Sequence, residues 1–226
     1  MPHAVSKQYW QNKAIARVGD ALGASCRRQG WCAKPNGGLE QPQILNTICL
    51  LHLTNGHRQF EVNQANQVYV GDITYIYTQE GWLYLAVVID LYSRQIVGWS
   101  MAECMKTKLV NDALIMAIWQ RKPAKGLLWH TDRGSQYASD NHRKLLKQHG
   151  IQQSMSRKGN CWDNAVSESF FHTLKTECVN HENYATHEAA KKSIFDYIEV
   201  FYNRQRLHSN NGYLSPVEFE KQFKAA

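Results

Sequence analysis

No two of the six cysteines (26, 32, 49, 104, 161 and 178) stand at CxxC spacing, and no histidine pair follows Cys26 and Cys32 at finger spacing. A zinc module is therefore not expected. Free thiols in a reducing compartment are the default for such a pattern. No apolar run reaches membrane-spanning length and no signal peptide opens the sequence, so neither membrane insertion nor export is expected and the location implied is cytoplasmic. There is no internal repeat and no low-complexity tract.

What the chain does hold is enough apolar material for a core. It has 226 residues, 43% hydrophobic, with seven Trp and eleven Tyr. That length suits one substantial domain with an appendage, or two small domains, and the composition excludes global disorder. The formal net charge is +7 and the pI about 9.1. A basic balance favours a polyanionic partner, nucleic acid first. The charge is uneven: residues 1–59 hold seven Lys and Arg against two acids, while the rest is nearly neutral.

Residues 1–57 show no clean amphipathic period and are left as an unassigned N-terminal segment. Residues 58–226 carry the strong signals. "QVYVGDITYIYT" (67–78) is rich in β-formers and "WLYLAVVIDLYS" (82–93) is an almost unbroken apolar run; "QEG" between them reads as a hairpin turn. Residues 94–103 make a third strand. Residues 107–121 read as a helix capped at Thr107, with Leu109, Val110, Leu114, Ile118 and Trp119 inward. A short buried strand (126–134), a helix closed by Gly150 (139–150), a strand at 151–154, a basic loop (156–160) and helices over 160–177 and 186–206 follow. Pro216 and its surroundings close the chain. Three antiparallel strands, then alternating β and α, predict an α/β fold. It is one mixed sheet flanked by helices, compatible with a ribonuclease H-like core.

Three carboxylates stand out. Asp72 lies inside a strand of the buried type, where an unpaired acid is costly; the other reading is a solvent-facing position. Asp132 ends a strand, where α/β sheets place their ligand crevices; the other reading is a turn residue in "TDRGS". Glu168 lies on the helix over 160–177. There Trp162, Val166, Phe170 and Leu174 form a ridge that faces a core. Cys161, Asn164, Glu168, His172 and Lys175 form the opposite, polar stripe, which in an ordinary amphipathic helix is simply solvated. Thirty-five residues separate Asp132 from Glu168. Asp90, at a strand end beside a turn, is a decoy best explained as a turn cap. Oxygen-only ligands with no fixed His or Cys competitor suit Mg²⁺ or Mn²⁺, and a pair of such ions supports phosphoryl transfer.

At these residues the sequence closely resembles a known family. "DITYI", "TDRGSQY", "SRKGNCWDNAVSESFFHTLKTE" and "YIEVFYNRQRLHSNNGYLSPVEF" resemble the DDE transposases of bacterial insertion sequences. The match is to the second-reading-frame product of elements made by frameshifting, whose core is similar to retroviral integrases. The resemblance runs from about Arg58 to Phe219. It implies that Asp72, Asp132 and Glu168 are the catalytic and metal-binding triad, and that the ions are Mg²⁺ or Mn²⁺, two in number. It further implies DNA strand cleavage and strand transfer without a covalent protein–DNA intermediate. The partners implied are element ends and target DNA, further copies of the chain assembled on DNA, and a product of the first reading frame. Lys175 matches the basic residue placed near the element end. Family members carry a helix-turn-helix-like region and a basic linker before the first catalytic strand; residues 1–57 do not resemble it.

Around this triad, Arg157, Lys158, Asn164 and Lys175 are DNA-contact candidates; for the loop residues the alternative is a solvated basic loop. Tyr202, Asn203, Arg206 and His208 form a C-terminal polar cluster with two readings, packing of the last helix or DNA contact. Trp162 reads as core, His130 as a strand residue near the site, and His172 as a residue that orients neighbours. Two other functions share the pattern: a DNA-binding regulator that has lost catalysis, and a nuclease of the same fold.

Overall fold

A computed structural model describes residues 62–156 and 165–224, with the backbone of His52–Leu53 and Arg58–Gln59. Those two short segments, β1 and β2, pair antiparallel. Their pairing straddles the boundary expected at residue 57. The remaining strands are β3 (Val68–Thr78), β4 (Gly81–Asp90), β5 (Ile96–Ala102), β6 (Leu128–Thr131) and β7 (Gln152–Met155). The helices are α1 (Thr107–Arg121), α2 (Asp140–His149), α3 (Ala165–Glu177), α4 (His187–Phe195) and α5 (Pro216–Lys224).

The five longer strands form one sheet in the order β5-β4-β3-β6-β7. β3, β4 and β5 are antiparallel, while β6 and β7 run parallel to β3. The mixed sheet expected from the sequence is therefore present. Its two faces are covered separately. On one, Tyr69, Val97, Trp129, Tyr137 and Leu146 pack with Leu109, Val110 and Leu114 of α1. On the other, Val68, Val70, Leu91 and Leu128 pack against Val62 and against Val166 of α3. Successive residues of β3 thus serve opposite cores, as a two-residue period requires. Gly71 has a packing role here: a Cβ would lie 2.0 Å from the Trp129 ring, so only glycine admits the indole beneath β3.

Local signals account for most boundaries. Gly81 takes φ +119° at the β3–β4 turn, a value open to glycine. Ser139 caps α2 by accepting from His142 N, and Gly150 closes that helix at φ 66°. Thr186 caps α4 through Ala189 N.

Three expectations are corrected. The cap of α1 is Lys106, which makes no side-chain cap bond, and Thr107 is the first helical residue. Trp119 is 74% exposed rather than inward, because the buried arc of α1 runs through Leu109, Val110, Ala113, Leu114 and Ala117. The close of the chain expected at Pro216 is a helix, α5, which that residue starts. Ser215 and Glu218 cap each other there, with Glu218 N donating to Ser215 Oγ and Ser215 N and Oγ donating to Glu218 Oε2. "SPVE" is a capping box with proline at the first helical position. The helix expected over 186–206 also departs from α geometry. After Phe195 it continues as a π-helix over Asp196–Tyr202, with Asn203 N bonded to Ile198 O. Among the described residues no helix is long and apolar enough to cross a membrane.

Candidate active site

The parallel ladder of β3 and β6 ends at the pair Gly71 and Thr131. The next residue after each is an aspartate: Asp72 is still in β3, and Asp132 lies just past the end of β6. Register thus brings Asp72 and Asp132 to the same end of the ladder, although fifty-nine residues of chain lie between them. Both are half-buried. Asp132 leaves the strand and turns: its Oδ1 accepts from Gly134 N at 3.0 Å, and Tyr137 N donates to Gly134 O. Its turn reading is thus realised without removing it from the strand end. Arg133 Nε donates to Ser156 O at 2.7 Å and ties this turn to the end of β7. Asp72 Oδ1 accepts from Ile73 N at 2.7 Å. The charges of both aspartates act on Tyr137. Burial first, and then the nearby Asp72 and Asp132, push that fully enclosed phenol well above its usual pKa. It is neutral at any working pH.

On α3 the expected ridge is inward. Phe170 and Leu174 are buried and Val166 packs on the β3 side cluster. Glu168 and His172 lie on the exposed face. Lys175 sets its ammonium 4.9 Å from the Tyr75 ring centroid, a cation–π distance. Glu168 is not gathered with the two aspartates: among the described residues no three His, Cys, Asp or Glu side chains lie close enough together to hold a metal ion. Arg157, Lys158, Cys161, Trp162 and Asn164 lie outside the described residues. His130 is buried, with Nδ1 3.1 Å from Ser154 Oγ, on β6 as expected.

The C-terminal polar cluster is engaged inside the fold. Asn203 bridges to β5, its Oδ1 accepting from Ile96 N and its Nδ2 donating to Ile96 O. Arg206 grips Glu177 of α3 through Nε and Nη2 at 2.9–3.0 Å, and Tyr197 Oη donates to Glu177 at 2.7 Å. His208 packs edge-on against Tyr202. Burial, aided by the charges of Arg206 and Arg94, pulls its pKa down to about 3, so it carries no charge to offer a phosphate. Of the two readings, packing is the one these contacts support for Arg206 and His208.

Asp90 is more than a turn cap. It accepts from Tyr92 N and from Asn66 N, and is fully enclosed. Arg121, from the end of α1, lies 3.6 Å from it and binds both oxygens of Glu220 on α5. Sequence reasoning missed this knot, since its members come from elements far apart in the chain. Burial raises the Asp90 carboxyl to about 6, against the pull of its backbone bonds and of Arg121.

Comparison with known proteins fits this architecture. Residues 62–161 match a family model described as "Integrase core domain", and residues 168–223 match a second model of that description. Over 201 residues the chain is 46% identical to the transposase InsF of insertion sequence IS3A from Escherichia coli (strain K12), covering 89% of this chain and 70% of that protein. The chain belongs to this insertion-sequence transposase family. A transposase of element IS904 from Lactococcus lactis subsp. lactis (strain IL1403) is also 46% identical, over 83% of this chain and 70% of its own. The match to InsF is longer than the stretch after residue 57, so it reaches back into the segment that the sequence reading left unassigned.

Among solved structures, a chain of the simian T-cell lymphotropic virus intasome, in complex with PP2A regulatory subunit B56 gamma, superposes with a TM-score of 0.60. It shares 15% identity and covers 93% of this transposase and 73% of its own length. The HTLV-2 integrase catalytic core domain in complex with magnesium, in a trimeric form, gives 0.51 at 16% identity over 70% of this chain and 98% of that one. These likenesses establish the ribonuclease H-like fold. As a member of the family, the protein is a polynucleotidyl transferase acting in DNA cleavage and strand transfer.

Proposed function

We propose that Asp72 and Asp132 form the catalytic centre of this transposase and hold a divalent cation, Mg²⁺ or Mn²⁺, with Glu168 completing the site for a second ion. The placement of the two aspartates at the same end of the β3–β6 ladder carries the reading. The pair fits such an ion: both donors are carboxylates, the hard ligands these cations take, and two anions at one ladder end repel until a cation lies between them. The magnesium named with the HTLV-2 integrase core supports the choice. When bound, such ions activate an attacking oxygen and neutralise charge on the leaving one.

The chain's own residues do the rest. Asp132 is oriented by Gly134 N and Asp72 by Ile73 N, so the two anions are fixed before substrate arrives. Glu168 stands on the exposed side of the first turn of α3 and is the carboxylate proposed to complete the ligand set. In the first reaction a water oxygen bonds to phosphorus at the element end and the 3′ oxygen departs as a hydroxyl. In the second, that 3′-hydroxyl bonds to a target phosphorus and displaces the target's own 3′ oxygen. Lys175 sits further along α3 as a DNA contact, with Arg157, Lys158 and Asn164 from the preceding segment. We place the reaction in the cytoplasm, in an assembly of several copies on DNA, and keep a first-frame companion as a proposal for co-purification to test. The deciding experiment is cleavage and strand transfer on pre-cut native ends with Mg²⁺. Full activity in Asp72→Asn would end this reading.

A further inference from the structure

Inside the larger core three polar side chains from three elements are joined in a line. Trp129 of β6, fully enclosed, donates from Nε1 to Nε2 of His142 on α2 at 3.0 Å. Nδ1 of His142 lies 2.7 Å from Oδ1 of Asn111 on α1. An indole N–H only donates, so Nε2 of His142 is the bare nitrogen. The neutral imidazole then carries its proton on Nδ1 and donates it to Asn111. His142 is enclosed as well, and burial pulls its pKa down to about 4, which keeps the ring in that neutral form. The indole is thereby held in one orientation from two helices.

Two contacts connect that indole to the candidate centre. Its ring lies directly beneath Gly71, where a Cβ would meet it at 2.0 Å, and Gly71 is the residue before Asp72. Tyr69 belongs to the Trp129 core while Val68 and Val70 belong to the core on the α3 side. By the two-residue period Asp72 lies on the α3 side too, so the indole supports its backbone from the reverse face. The second contact is Tyr137, whose ring centroid lies 6.2 Å from that of Trp129 and 5.6 Å from that of His142. Tyr137 N donates to Gly134 O in the turn after Asp132, and Tyr137 O accepts from Gln153 Nε2 of β7. One locked group thus abuts the backbone before one aspartate and the turn after the other. Apolar packing alone would fill this space but allows several arrangements, whereas a satisfied buried network fixes one.

We propose that Trp129, locked by His142 and Asn111, is a positioning residue for the reaction: it fixes the backbone that carries Asp72 and, through Tyr137, the turn that carries Asp132. The proposal rests on the reading that gives these two aspartates the divalent cation. Trp129 and His142 are enclosed, so they act through the backbone they pack on. Displacements of about 1 Å are enough to cost a reaction centre of this kind its rate.

The test measures Mn²⁺ affinity by calorimetry, kcat and KM for strand transfer on pre-cut ends, and the melting temperature, all on the full-length protein. His142→Phe keeps a ring in the core but neither accepts from Trp129 nor donates to Asn111. It is expected to weaken Mn²⁺ binding and lower kcat by about tenfold or more, with KM for DNA unchanged. His142→Gln, which keeps an acceptor for the indole N–H, is expected to recover most of both. Val97→Ala controls for lost stability: it lies in the same core on β5, with β4 and β3 between it and Trp129. It is expected to lower the melting temperature and leave Mn²⁺ affinity and kcat unchanged. Where His142→Phe does not fold, Asn111→Ala, which removes only the outer bond, is expected to show a loss in the same two quantities. A lowered melting temperature in His142→Phe with Mn²⁺ affinity and kcat intact would overturn the proposal. So would equal losses in Val97→Ala at a matched melting temperature. Asp72→Asn tells this apart from the site reading. Mn²⁺ binding lost in Asp72→Asn but kept in His142→Phe removes the positioning role alone. Unchanged binding in Asp72→Asn removes the site, and with it anything for Trp129 to position.

Discussion

Asp72 and Asp90 both lie on the central hairpin, yet their surroundings differ in kind. Asp90 is enclosed, hydrogen-bonded by two backbone N–H groups and close to Arg121; Asp72 is half-buried at the ladder end that also carries Asp132. Asp72→Asn and Asp132→Asn should each weaken Mn²⁺ binding, measured by calorimetry, because a neutral amide replaces an anionic ligand; unchanged affinity in both would refute the assignment. Glu168→Gln should fold normally and lower strand transfer by a factor on the order of 10² or more, with near-native rates as the contrary result. For Asp90 the expectation concerns pH. Its folded pKa of about 6 exceeds its ordinary 3.8, so the folded state holds this proton more tightly than the unfolded chain. The stability it contributes is complete below about 4 and is lost as pH rises through about 6. Thermal melts of Asp90→Asn should lack that part of the slope between those limits.

At the scale of elements, strands and helix ends were the legible part. Unbroken apolar runs and the Gln79–Glu80 turn give β3 and β4, because a buried strand has few compositions open to it. Ser139 and Gly150 bracket α2 because caps are local chemistry. Trp119 was misjudged since helical periodicity alone does not say how wide the buried arc is. The capping box of "SPVE" was present in the sequence and passed over. The pairings Arg121–Glu220 and Arg206–Glu177 were not legible, for a long-range ion pair leaves no periodic trace. The same limit applies to the candidate site. Asp72 and Asp132 could be brought together from strand order, whereas the distance of Glu168 from them depends on how α3 is seated. Arg206 offers a test at this scale. Arg206→Ala leaves Glu177 without its bidentate partner and should cost about 1–2 kcal/mol of stability, since the pair is partly screened. The salt dependence of DNA binding should not change. A shallower salt slope would show that Arg206 touches phosphate after all. Lys175→Ala should behave in the opposite way, lowering the slope by about one ionic contact with an unchanged melt.

For the whole molecule, the two covered faces of the five-stranded sheet draw their described core residues from Val62 onward. Removing residues 1–48 should therefore leave a chain that melts cooperatively, checked by calorimetry; a broad, non-cooperative transition would show that the first residues complete the core. Because the InsF match extends into that segment, the truncated protein is expected to lose affinity for element ends while keeping Mn²⁺ binding.

The π-helix over Asp196–Tyr202 sets the phase of everything after it. Its wider winding lets Asn203 meet Ile96, and it precedes the residues that reach Glu177 and the helix whose Glu220 meets Arg121. Deleting one residue within 196–202 would restore ordinary winding, and because six α residues turn the chain about as far as seven π residues, the following chain would keep its bearing on all three partners. An alanine substitution at an exposed position there, such as Val200, changes no phase. This stretch is thus free to shorten but not to grow: a one-residue deletion should keep a cooperative melt, as should Val200→Ala, while an inserted residue, which the already widened turn has no means to absorb, should unfold the C-terminal third.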